Sequence, residues 1–480
     1  MKKIHLTWMI PALAALLLSS CSKFLDINPK GEVFDADMFT SPEGYEDALY
    51  GIYNELATTE SLYAAHLHWF AEACCGNVIS QSDYKFGNMA MGDWYTTGPV
   101  SVRKAIWSDA YATINHLNNI LVHAEAGGEN EFRHSALYKG EALALRALIH
   151  FELLRLFGAP YWASDADKAQ AIPYVRTYSF DITPFSSFDE VIGFITDDLR
   201  EAERLLAEDE ELIGVQRDNA ATGFTGARIT HMNLYAVQAL LARIYWTIDD
   251  MTNAAIYAQK VIDSGKFQFR PQSAFVQPDN GTLDMHETIF GLFSERYQTL
   301  NRTKYRLYST SSQSFELASD WHALYEEGGS TRTDFRLNAW FNDGDQTLTK
   351  LVNRSWYADG NTSYTGSNII GVNILRIPEM YYILAEAHLG TNPSLASTYY
   401  DAVITSRGLD PVRGSGGFTR EMLFRERRRE FYGEGFTWHE MKKRGMDITN
   451  AAGEILPGRL VSTYTMPVPD AELEARKNLE

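Results

Sequence analysis

Rings and polar groups, rather than nucleophiles, are the residues of this chain that could do chemistry. Asn77, Asp83, Tyr84, Asn88, Trp94 and Tyr95 crowd one stretch between residues 76 and 100. Tyr297, Tyr305, Tyr308, Trp321, Tyr325, Trp340, Trp356, Tyr357 and Tyr364 stand in a second, longer one. The apolar C–H faces of a sugar stack on Trp and Tyr, while Asn, Asp and Arg take its hydroxyls. Rings and short polar side chains set together in loops therefore point to carbohydrate binding. A single ring packs beneath its own loop more often than it meets a ligand, so no one of them carries the reading alone. Catalysis finds less support. There is no His-Glu-x-x-His, no Gly-x-Ser-x-Gly, no Gly-Lys-Ser/Thr phosphate loop and no Cys-x-x-Cys. With 62 acidic residues in the chain, a chance pair of carboxylates is no argument for glycoside hydrolysis. His66 and His68 sit two apart and would point to different faces of a helix, so we assign them no metal.

These loops hang between helices. Ser41-Pro42-Glu43 starts one, with a cap, a proline in the first turn and an acid. Tyr45, Leu49, Ile52, Tyr53 and Leu56 supply its apolar stripe. The spacing of Ile106, Ala110, Ile114, Leu117 and Leu121 predicts a helix near 103–125, ended by Gly127-Gly128. Trp107 and Tyr111 fall on a face of that helix and belong to the core. Its partner runs near 135–157, where Gly140, Ala142, Ala144 and Ala147 are small enough to admit a close neighbour. Further helices are expected near 188–206, 229–248, 252–263, 378–389 and 393–406. Amphipathic helices joined by short turns, with small residues at the crossings, suggest tetratricopeptide-like hairpins, although the strict repeat consensus is absent. Between Lys266 and Asn373 the helical period is lost, and loops of that length are functional or mobile.

Composition bounds the function. The chain has 480 residues, 45% apolar and 22% charged, which is globular rather than disordered. A formal net charge of −19 argues against a nucleic-acid partner and against adhesion to anionic lipid through basic patches. Cys21, Cys74 and Cys75 are too few for a disulfide framework, and the adjacent pair reads as two buried thiols. The N-terminus has a basic start at Lys2 and Lys3. An apolar run from Leu6 to Leu18 follows, short for a membrane span, and then Leu18-Ser19-Ser20-Cys21, which is similar to a bacterial lipobox. Residues 1–20 are therefore expected to be a lipoprotein signal peptide and Cys21 to be lipidated. Losing Lys2 and Lys3 would take the net charge from −19 to −21. Several acyl chains on one residue anchor stably where one does not.

The densest charge pattern runs from Thr419 to Gly445. Thr419 is a helix cap, with Glu421 favourable in the first turn. Leu423, Arg427 and Phe431 lie on one face, and Glu426, Glu430 and Glu434 form another row. Gly433 and Gly435 interrupt the helix before Phe436, Trp438 and Met441 resume an apolar face. Large aromatics among so many ions argue for a partly buried helix near the centre of the fold. The arginines could bind an anion, but acids and bases are matched locally. Arg425, Glu426, Arg429, Glu430 and Glu434 therefore read as a structural ion-pair network.

The stretch from Phe424 to Gly445 closely resembles the C-terminal signature of the SusD/RagB family, with Thr437 and Glu440 where that pattern usually has Arg and Asp. The opening Cys21-Ser22-Lys23-Phe24-Leu25-Asp26, the run Gly140-Glu141-Ala142 to Arg146-Ala147 and Phe157-Gly158, and the ending from Tyr464 are similar to further family motifs. The family's members are nutrient-binding lipoproteins on the surface of Bacteroidetes cells. The resemblance implies a mostly α fold: one SusD-like domain over 21–480. Its tetratricopeptide-like helical scaffold would span about 41–265 and 374–445, with a loop-rich ligand-binding insertion over about 266–373. It implies that the 76–100 loop and the insertion build the ligand face together. Trp94 and Tyr95, then Trp321 and Tyr297, with Asn77 and Asp83, are the expected ligand-binding residues.

The same resemblance implies an outer-membrane lipoprotein, anchored through Cys21 and exposed at the cell surface. It would bind an oligosaccharide and deliver it to a SusC-like TonB-dependent transporter, without catalysis. Some relatives handle peptides, so a peptide ligand is the alternative. A surface hydrolase using carboxylates of the insertion and a scaffold that only assembles proteins are rivals from other classes. No cofactor is implied; acid-rich loops permit a Ca²⁺ ion, but no regular ligand spacing calls for one.

Overall fold

A computed structural model describes residues 35–480, apart from 81, 216–221, 277, 306–312, 327–332, 343, 345, 354–367, 413–416, 451 and 478–480. The expected signal segment, Cys21 and the SusD-like opening lie outside the described residues. So do Tyr308, Trp356, Tyr357 and Tyr364.

Counting α-helices of five residues or more among the described residues, α1 is Pro42–Thr58, α2 His66–Cys74, α3 Phe86–Ala90, α4 Thr97–Gly127 and α5 Ser135–Phe157. Then come α6 Phe188–Leu205, α7 Leu234–Thr247, α8 Met251–Asp263, α9 Glu295–Lys304, α10 Trp321–Glu326 and α11 Phe335–Trp340. The last five are α12 Ile377–Leu389, α13 Pro393–Ser406, α14 Arg420–Glu430, α15 Phe436–Arg444 and α16 Asp470–Lys477. Local chemistry starts them. Ser41 caps α1 ahead of Pro42 by accepting from Gly44 N. Ser187 and Glu190 form a reciprocal capping box on α6. Asn392 caps α13 with Pro393 in its first turn, and Thr419 caps α14.

The helices pack as hairpins: α4 on α5, α6 back onto α5, α7 on α8, and α12 on α13, with α8 also against α12. This is a mostly α, tetratricopeptide-like scaffold. The central member is α5, which is buried along almost its whole length. Its Gly140 has a physical reason. A Cβ there would meet the Leu206 side chain at 2.8 Å, so only glycine lets α5 and the end of α6 approach this closely. Trp107 is buried on α4, and Tyr111 donates from its hydroxyl to Pro173 O at 2.9 Å.

Strands are few and short. Thr282–Leu283 and Thr288–Phe293 pair on either side of Ile369–Arg376 as a three-stranded antiparallel sheet. Val78–Ile79 pairs with Glu316–Leu317, in the register Val78 to Leu317, tying the 76–100 stretch to the region before α10. Between 266 and 373, where the helical period fades, the described residues still form α9, α10 and α11. Their capping and packing are tertiary as well as local: α9 starts on Ser294, whose hydroxyl donates to Ala57 O at the end of α1.

Candidate functional site

The stretch from 76 to 100 forms one wall of a cleft of about 540 Å³. The C-terminal end of α2, the segment 78–91, Ala318–Asp320 and the strand at Ile448–Thr449 enclose it. Its polar lining includes Ser80, Asn88, Asp320 and Asn450. The Ser80 hydroxyl is buried there without a hydrogen-bond partner among the described residues. Asn88 Nδ2 donates to Thr96 Oγ1 at 2.9 Å, which brings the start of α4 beside the cleft.

Asn77 builds the wall from inside. Its side chain is fully buried. Nδ2 donates to Glu72 Oε2 at 2.9 Å, and Oδ1 accepts from Arg428 Nε at 2.7 Å. Its carbonyl accepts from Ala318 N at 3.1 Å and from the Tyr432 hydroxyl. Arg428, so placed, grips Asp320 with both terminal nitrogens, at 3.0 and 3.3 Å. Asp320 remains more than half exposed and faces the cleft as a carboxylate held by a guanidinium.

Of the six expected ligand residues, the structure presents Tyr95 to solvent and places the other five inside. Tyr95 is 75% exposed, its backbone N–H fixed by Asp93 Oδ1 at 2.9 Å. Trp94 is buried in the core. Asp83 Oδ1 accepts from the N–H groups of Lys85 and Phe86 at 2.8 and 3.2 Å, at the start of α3, and its other oxygen pairs with Lys304. The Lys304 ammonium lies between the rings of Trp69, Phe86 and Phe315, 4.3 to 4.9 Å from their centroids. Trp321 stacks on Phe341, centroids 4.7 Å apart. Tyr297 is buried with its edge toward His68, and burial pushes its hydroxyl well above the usual value. These five side chains support the loops rather than face outward. Alternation of ring and polar residues in sequence does not distinguish the two. Tyr84, half exposed, and the cleft-lining Met91 are the apolar groups that accompany Tyr95 at the surface. Asp320, Arg428 and Asn450 had no signal in the sequence that joined them to residue 77.

The charged residues of α14 sit at the centre of the fold. Glu430 Oε1 accepts from Arg376 at 2.6 Å and Arg407 at 2.9 Å, and Oε2 from Arg336 and Arg407, each at 3.0 Å. Burial pushes its carboxyl up, but these three guanidinium groups outweigh burial and hold it well below the usual range. Glu426 pairs with Arg336 at 2.7 Å and Arg429 at 3.2 Å, and Glu434 with Lys350 at 2.6 Å and Arg376 at 2.8 Å. Arg425 lies partly buried at the edge, beside Arg428 and Arg429. The sequence suggested local pairing. Most of the partners instead arrive from α11, from the end of strand Ile369–Arg376 and from the end of α13. Glu440 pairs with Arg427 at 3.0 Å and Arg444 at 2.5 Å, and Thr437 is buried against Asn77. Cys74 and Cys75 are buried free thiols. Among the described residues no group of His, Cys, Asp or Glu is arranged to hold a metal, and no helix is long and apolar enough to cross a membrane.

Loops of the helical scaffold thus wall a polar cleft, and Tyr95 is exposed on one of those loops. Residues 23–246 match a family described as starch-binding and associating with the outer membrane, and residues 296–450 match the SusD family. The chain belongs to the SusD family. It is similar to a SusD-like protein of Bacteroides ovatus, 22% identical over 90% of this chain and 81% of that one. The fold is that of a SusD superfamily protein from Bacteroides thetaiotaomicron, with a TM-score of 0.70, 21% identity and coverage of 91% and 98% of the two chains. A SusD-like carbohydrate binding protein from Bacteroides vulgatus gives 0.69 and 20%, over 91% and 96%. At the level of the family these are non-catalytic glycan-binding proteins of the outer membrane and cell surface, working with SusC-like transporters.

Proposed function

We propose that this chain is a cell-surface lipoprotein, anchored through Cys21, that captures an oligosaccharide in the cleft under the 76–100 loop and passes it to a SusC-like TonB-dependent transporter. The observation that carries the reading is the Asn77–Arg428–Asp320 chain, which holds a carboxylate toward a roomy cleft, with Tyr95 and Tyr84 exposed on the 76–100 loop that forms one of its walls. A sugar face stacks on Tyr95 while Asp320, Asn88 and Asn450 take hydroxyls. Asn77 acts through Arg428. Trp94, Asp83, Trp321 and Tyr297 hold the loops in shape from beneath. The anchor keeps the protein at high effective concentration beside the transporter, and no bond is broken here.

Titration of purified protein against a panel of oligosaccharides and peptides tests this. A binding oligosaccharide should lose roughly tenfold in affinity with Tyr95→Ala, about 1.4 kcal/mol, at unchanged melting temperature. Peptide binding that depends on Tyr95 would replace the sugar by a peptide. Turnover of the bound sugar would move the protein to the hydrolases.

A further inference from the structure

A second cavity, of about 40 Å³, lies inside the scaffold and shares no residue with the cleft. His68 reaches it from α2, Arg155 from the end of α5, Arg243 from α7 and His439 from α15, and the strand Ile369–Arg376 adds Asn373 and Arg376. Its size admits one halide-sized ion with a water or two, or about three waters. The carboxylates of its wall are already paired. Glu152 accepts from Arg155 and, at 2.9 Å, from the Tyr63 hydroxyl. Glu434 pairs with Lys350 at 2.6 Å and Arg376 at 2.8 Å. Three nitrogens of the same wall are buried without a hydrogen-bond partner among the described residues: Arg155 Nε, His68 Nδ1 and His439 Nδ1. The first is a donor at any pH a protein meets, and a neutral imidazole can carry its N–H on Nδ1. His68 is only 8% exposed, so water outside the protein does not serve it. Buried polar atoms of this kind call for a partner.

Local charge chooses between water and an anion as that partner. The His439 side of the chamber is positive. Lys442, one turn further along α15, donates from Nζ to Arg155 O and Gly158 O, each 2.7 Å away, and pairs with no carboxylate among the described residues. Those carbonyls belong to the C-terminal end of α5, which offsets about half an elementary charge. Burial, with Arg155, Lys442 and Arg243 near it, holds His439 well below its ordinary value. Arg243 is itself balanced by Glu379, which accepts from its Nε and Nη2 at 2.7 and 2.6 Å. Surplus N–H donors in a positive field suit an acceptor that brings no protons of its own. A smaller pocket of about 20 Å³ shares Arg155 and His439 with the chamber. Lys442, Lys443 and the exposed Tyr161 line it as well, so cations flank the approach from the surface. We propose that the chamber is a buried site for a small monovalent anion of halide size, held by Arg155 Nε, His68 Nδ1 and His439 Nδ1, which joins α2, α5 and α15 through one ion.

Melting of the full-length protein at constant ionic strength, with gluconate replaced stepwise by bromide, tests this. Gluconate is too large for the chamber. Measured against Arg155→Met, the wild type should gain ~1–2 °C in melting temperature for each tenfold rise in bromide above its dissociation constant. Arg296→Met, which removes an exposed arginine paired with Glu60, should respond as the wild type does. Equal responses of the wild type and Arg155→Met would reduce bromide to a general salt effect and overturn the site. Crystals soaked in bromide supply a measurement that needs no variant. An anomalous peak among Arg155, His68 and His439 is the expected result. Water density there without an anomalous signal overturns the anion. A peak without any melting response marks an adventitious ion only and overturns it too.

Discussion

Trp94 and Tyr95 are neighbours in sequence with opposite fates. Trp94 packs in the core and Tyr95 faces water, so the same substitution should do opposite things. Trp94→Ala is expected to cost about 3–5 kcal/mol of stability, whereas Tyr95→Ala should leave stability within about 0.5 kcal/mol. Urea unfolding of the two variants measures both. At Glu430 the expected loss is of another kind. Glu430→Gln keeps the volume but leaves Arg336, Arg376 and Arg407 buried with one fewer carboxylate between them. Breaking a buried ion pair on one side costs about 3–5 kcal/mol, because the remaining charge is stranded. A variant as stable as the wild type would show that the remaining acids, Glu287, Asp334, Glu426 and Glu434, suffice. The six expected ligand residues teach the same lesson. Residue type says that a side chain can bind a sugar, and burial decides whether it is free to.

The break between α14 and α15 was legible in the sequence, and its geometry gives the reason. Gly433 and Gly435 have φ of 84° and 75°, which other residues adopt only with strain. The turn brings Glu434 to Lys350 and Arg376, and directs the Gly435 N–H at Glu72 Oε1, 2.8 Å away. Because Glu72 also receives Asn77, the same turn helps to set the cleft wall. Gly435→Ala should cost about 1–2 kcal/mol for the left-handed backbone alone. Its new Cβ would also lie 3.1 Å from His68 Cα, so the loss should sit at the upper end of that range. Thermal unfolding of that variant beside Gly453→Ala, which meets nothing nearby, separates crowding from backbone strain.

Across the whole molecule, buried histidines set the response to acid. Burial lowers His68 from its ordinary 6.5 to about 4, and His150 to about 3. Burial, with Arg155, Lys442 and other cations near it, holds His439 well below the ordinary value too. Each stays neutral in the fold where the unfolded chain would already bind a proton. Stability present above pH 6.5 is therefore lost as the pH falls through the folded values. Glu386 extends the decline. Burial raises its carboxyl, but Arg427, Arg444 and Lys443 outweigh it and bring it from 4.5 to about 2. Its contribution is present above pH 4.5 and is lost from there down to about 2. Calorimetry from pH 8 to 3 should show a melting temperature that falls from about 6.5 downward, and His68→Gln should flatten the upper part of that fall. A melting temperature level down to pH 4 would contradict the neutral buried histidines.

The sequence by itself determined the longer capped helices of the scaffold, the pairing of α4 with α5, and that the Arg- and Glu-rich α14 is buried, but not the short helices α2, α3 and α9–α11. Those properties depend on residues within one or two turns of each other: Ser187 with Glu190, Pro42 after Ser41, and the Glu426 and Glu430 row. Only the tertiary structure decided which rings of the loops are covered, and which ions pair. Glu430 meets Arg336 from far upstream, and Asn77 meets Arg428 across most of the chain. A cap or an apolar stripe is a contact between near neighbours, so spacing encodes it. The cover over a loop ring and the partner of a buried charge come from segments that only folding brings together, and no local spacing records them.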